Sequence, residues 1–203
     1  MTEAASSPPG ELDLRREPDR VRYEPTALPE HGVAPVIAAL GRSHINGGAL
    51  IARFRAVDFD EVVAWYAARN RFAMIGFFPQ FLGSPGVRAA LPELRIPDTL
   101  GDDLGFTMSW PGTLSLDGEL AATIAGGGAY EDEGYVPVSK VEAKRLGVAF
   151  VDALVGDRHD DFRVFRSYQP WAGWFWGSVH DSTDVLIDVA NAEITLLTIT
   201  DTA

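Results

Sequence analysis

The sequence predicts an α+β fold: one domain over residues 31–203, with a C-terminal antiparallel meander packed against two or three helices. Three observations predict it. Four aromatic residues fall within six positions (Trp171, Trp174, Phe175, Trp176), and two runs rich in Val, Ile, Leu and Thr follow across a short polar stretch, the pattern of strands laid side by side. Upstream, Ser139 with Glu142 and an apolar stripe closing on Gly156 mark a helix at both ends. Hydrophobic residues make up 46% and charged residues 23% of 203, which is enough apolar surface for one core.

Taken in order, residues 1–30 carry five prolines (Pro8, Pro9, Pro18, Pro25, Pro29) and almost no apolar periodicity. The expectation is a flexible arm that docks at most through Leu12, Leu14, Val21 and Tyr23. Ala34 to Leu40 is expected to be a short helix stopped by Gly41. Ala49 to Val57 alternates Leu50, Ala52, Phe54 and Ala56 with Ile51, Arg53 and Arg55, the signature of a half-buried strand. Asp58 with Glu61 reads as a capping box opening a helix to about Asn70, with Val62, Trp65 and Tyr66 facing inward.

The run Phe72 to Leu82 is apolar enough for a buried strand cut by Pro79. Gly83 to Gly105, broken by Pro85, Pro92 and Pro97, is expected to be a long connection with short helical turns. Phe106 to Trp110 reads as a short strand. Ser115 to Ala125 reads as a helix stopped by Gly126, Gly127 and Gly128. The Ser139 helix runs to about Val155 with Val141, Leu146, Phe150, Ala153 and Leu154 as its stripe. Phe162 to Tyr168, Trp174 to Val179, Asp184 to Val189 and Glu193 to Thr200 complete the sheet, the last two joined through Ala190, Asn191 and Ala192.

Composition removes several functions. There is no cysteine, hence no disulfide, thiolate nucleophile or cysteine metal site. The N-terminal residues do not form a secretory signal, and no stretch reaches the roughly 18 apolar residues of a membrane span, so a cytoplasmic protein without membrane contact is expected. Net charge is −12, and between Ile96 and Ser139 eight acids stand with no Lys or Arg. Such a segment repels nucleic acid and attracts a basic protein. Asp98, Asp102, Asp103, Glu131, Asp132 and Glu133 are therefore the candidate partner-binding residues. The competing reading of the same acids is solubility alone.

Motifs for catalysis are sparse. Gly126 to Gly128 matches neither the dinucleotide fingerprint nor the Walker loop, and neither Ser84 nor Ser178 sits in a nucleophile elbow. His31, His44, His159 and His180 have no metal-binding spacing, so neither a metal nor a cofactor is expected. An alternative function, a small enzyme or small-molecule binder, would use Trp171, Trp174, Trp176, His180, Asp181 and Asp184. Against it, such rings are commonly core, Asp181 suits a turn with Ser182 and Thr183, and Asp184 and Asp188 would alternate outward while Val185 and Ile187 face in. Asp201, two residues from the end of the sequence, is a poor position for a catalytic group.

Trp174 and Phe175, Asp181 and Thr183, Asp188, and Thr200 to Thr202 together resemble the C-terminal stretch of a group of uncharacterised bacterial proteins. The likeness covers about thirty residues. It departs at Asp184, where that group usually has a bulky residue. Some small acidic proteins of that general kind are immunity proteins of polymorphic toxin systems. The likeness itself implies no established activity; with the acidic segment and the absence of catalytic spacing it adds to the expectation of a noncatalytic, immunity-type module that neutralises a basic partner through its acidic surface.

Overall fold

The computed structural model describes residues 21–58, 61–130 and 137–202. Six strands, β1 (Arg22–Thr26), β2 (Gly48–Val57), β3 (Thr107–Met108), β4 (Phe162–Ser167), β5 (Ser182–Asp188) and β6 (Glu193–Thr200), form one sheet in the order β1-β2-β6-β5-β4-β3. Every pairing is antiparallel. Helices α1 (Glu30–Ser43), α2 (Glu61–Ala67), α3 (Phe77–Gly83), α4 (Pro85–Ala90), α5 (Thr113–Gly126) and α6 (Lys140–Leu154) cover it. The expected mixed α+β architecture is therefore what the chain adopts. No helix among the described residues is long and apolar enough to cross a membrane.

Strand alternation divides the sheet between two layers, because successive side chains point to opposite faces. Val164, Leu186, Leu197 and Ile199 face the long helices α1, α5 and α6, whose Leu40, Leu120, Ile124, Phe150 and Leu154 complete a mainly aliphatic core. Phe54, Phe165, Val185, Ile187, Ile194 and Leu196 face an aromatic layer built from Trp65, Tyr66, Phe72, Phe77, Phe78, Phe81, Trp171 and Phe175. Both faces of β5 and β6 are covered. Asp184 and Asp188, expected to point outward, are therefore buried, Asp184 on the face of the long helices and Asp188 against Arg158 and Asn191.

The capped helix α6 forms as expected: the Ser139 hydroxyl accepts from Glu142 N–H, and Gly156 adopts φ +57° beyond its end, the left-handed conformation that glycine tolerates. Its stripe differs from the expected one. Val141 is exposed, and Ala143, Gly147, Phe150, Val151 and Leu154 face inward. Gly147 is needed there, since a Cβ at that position would meet the Asp117 carbonyl oxygen of α5 at 2.1 Å.

Four other segments depart from expectation. Arg22–Thr26 is edge strand β1 and not part of an arm, with Pro25 at the edge, where proline is tolerated; Leu12 and Leu14 lie outside the described residues. Helix α1 begins at Glu30, breaks at His31 and Gly32, and runs through Gly41 to Ser43, so that Pro35 falls in the first turn after the break. The Phe72 to Leu82 run is a 3-10 turn (Phe72–Ile75) followed by α3, not a strand. Phe77, Phe78, Phe81 and Leu82 all reach the core from one helical stripe, and Pro79 lies in the first turn, where its missing N–H costs nothing. Trp174 to Val179 is a loop, its backbone donors going to separate partners instead of a strand: Trp174 to Leu94, Phe175 to Ala172, Trp176 to the Thr200 hydroxyl, and Gly177 and Ser178 to the carboxylate of Asp181.

Candidate functional site

Where β5 begins, β6 ends and β2 begins, three connecting segments meet around two carboxylates that are almost completely buried: Asp181 is 1% exposed and Asp201 0%. Asp181 accepts hydrogen bonds from Gly177 N–H, Ser178 N–H and the Thr200 hydroxyl. Asp201 accepts from Asn46 N–H, Thr202 N–H and Ala129 N–H. The donors belong to the α1-β2 turn, the segment after α5, and the 171–181 loop. Two side chains thus tie these three segments to the ends of β5 and β6.

Glycine makes the arrangement possible. A Cβ on Gly128 would lie 1.9 Å from an Asp201 carboxylate oxygen and 2.7 Å from the Ser43 carbonyl oxygen, to which Gly128 N–H donates. The third glycine of the triple therefore serves close approach. Gly127, at φ +71°, ends the helix. Gly177 turns the 171–181 loop at φ +76° and delivers its N–H to Asp181.

On this base the loops present apolar side chains to solvent. Trp176 is 60% exposed and Val179 90%, with Ile45 partly exposed on the adjoining turn. Trp176 is held in place: its indole N–H donates to the Asn46 carbonyl and its backbone N–H to the Thr200 hydroxyl. The Ser178 hydroxyl donates to the Asp201 carbonyl and receives His180 N–H. The rings of His180 and His44 meet edge-on, 6.1 Å apart.

His44 is 2% exposed, and its Nδ1 lies 2.9 Å from the Ser43 hydroxyl. Burial pulls its pKa below the ordinary imidazole value; Asp201 acts the other way but is outweighed. A serine, a histidine and an aspartate are thus close together, yet they do not form a nucleophile site. Ser43 is as buried as His44 and donates to the Leu40 carbonyl, and Asp201 spends its oxygens on backbone N–H groups. Neither Asp181 nor Asp201 forms an ion pair among the described residues. No group of three or more His, Asp and Glu side chains there could hold a metal ion.

The six residues of the small-molecule alternative do not converge. Trp171 is buried in the aromatic layer with its indole N–H on the Thr183 hydroxyl, and Trp174 packs against that layer. Asp184 lies on the opposite face, where Arg166 bridges it to Glu119 of α5. Burial works against the Arg166 charge, but Asp184 and Glu119 outweigh it and raise the guanidinium pKa. Only Trp176, His180 and Asp181 share one loop site. Of the acidic candidates, Asp98, Asp102 and Asp103 are exposed between α4 and β3, while Glu131, Asp132 and Glu133 lie outside the described residues. Two further acids of that segment are spent internally, Asp117 on Lys144 and Glu119 on Arg166.

Ile45, Asn46 and Val179 are not site candidates in the sequence, and Gly128 reads there only as part of a helix stop, although it is one glycine more than a stop needs. The fold defines an α+β protein whose antiparallel sheet is covered on both faces, with a loop face anchored on buried carboxylates. No protein-family model, curated protein or solved structure matches the chain.

Proposed function

We propose that this chain is a noncatalytic protein-binding module of the immunity type, which docks on a basic partner through the Trp176–Val179 loop. The observation that carries the reading is an exposed tryptophan and valine on a loop whose backbone is pinned by Asp181. Rigid aromatic anchors give large contact area at little entropic cost and dominate binding energy at interfaces. The partner is basic for two reasons. Asp181 and Asp201 accept from neutral donors only, so two negative charges beneath the loop have no ion-pair partner among the described residues, and an exposed indole face favours a cationic side chain. Asp98, Asp102 and Asp103, within a chain of net charge −12, steer such a partner toward the module.

A photocrosslinking amino acid at Val179, with the same group at exposed Val141 of α6 as control, tests this in lysate of the source cells. The expected result is one basic protein captured from position 179 and not from 141, less of it as salt rises, and none from the Trp176→Ala background. An acidic partner, equal capture at both positions, or no capture overturns the reading. Replacing Asp98, Asp102 and Asp103 by Asn lowers the association rate about tenfold at low salt and leaves dissociation unchanged.

A further inference from the structure

At the other end of the sheet, remote from Trp176, the aromatic layer leaves an apolar cavity of about 220 Å³ beneath α2. Ala56, Ile187 and Ile194 form its floor, Val63 and Ala67 of α2 its roof, and Tyr23 part of its wall. Its space comes from small side chains where the rest of that layer carries rings. The cavity opens to solvent on one side, where Ala64 and Ala68 are exposed, and its volume exceeds the roughly 150 Å³ of an apolar cavity that binds benzene. Asp188 also borders the cavity, but its carboxylate is committed to Arg158 and Asn191.

Tyr23 supplies the polar element. It is 7% exposed, and its hydroxyl donates to no group among the described residues, although buried tyrosine hydroxyls ordinarily find a partner. Burial pushes the phenol pKa up, so the hydroxyl keeps its proton and remains a donor. A charged ligand has no counter-charge here, and its desolvation would go uncompensated. The volume lies below the roughly 300–1,000 Å³ of a pocket for drug-sized molecules.

We propose that this cavity binds an uncharged small molecule, a single ring or short alkyl chain with one hydrogen-bond acceptor that takes the Tyr23 hydroxyl. The site is independent of the Trp176 loop, which lies at the opposite end of the same strands.

Titration of the full chain with acetophenone, ethylbenzene and benzoate, read by melting temperature and by the methyl resonances of Ile187 and Ile194 with Ile199 as control, tests it. Acetophenone and ethylbenzene should shift Ile187 and Ile194 saturably and leave Ile199, on the other face, unmoved; benzoate should do nothing. Tyr23→Phe should weaken acetophenone about fivefold, the worth of one hydrogen bond, without changing ethylbenzene. Ala67→Leu, which fills the cavity, should abolish both. No saturable shift in the unmodified chain overturns the proposal. So does movement of Ile199 equal to that of Ile187, or an equal loss of both probes in Tyr23→Phe.

Discussion

The two ends of the central sheet are held by different chemistry. Where β5 ends and β6 begins, carboxylates meet guanidinium groups: Asp188 pairs with Arg158 at 2.7 Å, and Glu193 with Arg53 and with Arg55. At the opposite end Asp181 and Asp201 meet only N–H and hydroxyl donors. Ion pairs at the first end join long side chains whose heads reach solvent, Arg55 and Arg158 being partly exposed. Neutral donors at the second end belong mostly to the backbone, so the carboxylates there fix the course of whole loops. The difference teaches that a buried carboxylate can serve as a joint between loops when its partners are neutral backbone donors instead of cations.

Removing the joint should have the largest effect. Asp201→Ala strips a fully buried acceptor from three part-buried N–H groups of three segments, and a donor left unmade costs up to about 1–3 kcal/mol. We expect a loss of about 3–5 kcal/mol in urea unfolding, with heightened proteolysis after α5. A loss under 1 kcal/mol would mean the loops hold without it. Gly128→Ala comes next, at about 2–3 kcal/mol, because its Cβ has nowhere to go between Asp201 and Ser43. An alanine variant as stable as the parent would show that the approach is not required.

At the ion-paired end, Asp188→Asn should cost about 1–2 kcal/mol, since the amide still caps Ala190 and Asn191 while the pair with half-exposed Arg158 is weakened. A cost above that of Asp201→Ala would invert the comparison.

The smallest effect separates the ends by pH. His44 has a folded pKa below its unfolded value of about 6.5. The unfolded chain therefore binds the proton first, and stability falls as pH drops below that value. Burial pushes the Asp188 carboxyl up, but Arg158 and Asn191 outweigh it and hold it below the ordinary aspartate value. Its contribution is present above the unfolded pKa of about 4 and is lost as pH falls through the carboxylate range. Melting curves from pH 7.5 to 5 should decline by about 1 kcal/mol, and His44→Asn should flatten that decline. An unchanged slope in His44→Asn would place the titrating group elsewhere.

Much of the fold was legible because local patterns and tertiary burial agree. The alternation of Ala49 to Val57 matched the two faces that β2 presents, the capping residues marked the ends of α6, and the Val, Ile, Leu and Thr runs became β5 and β6, although both of their faces are buried. Phe72 to Leu82 misled because a short run of rings serves a buried strand or a buried helix equally well. Val141 misled because apolar character alone does not say which side of a helix is covered. Little of the candidate site was legible. Its carboxylates are Asp181, readable as a turn residue, and Asp201, dismissed for its nearness to the end of the sequence; their donors come from positions 46, 129, 177, 178, 200 and 202.

The amino-acid order on its own determined the mixed α+β class, the absence of thiol chemistry and the acidic character of the chain, since pattern, composition and charge are local or additive properties. Which residues share a loop face, which carboxylates find cations and where the aromatic layer leaves a cavity were decided only by tertiary structure. Those depend on contacts between positions far apart in the chain, such as Asn46 with Asp201 and Tyr23 with Phe81, and such contacts leave no local pattern to read.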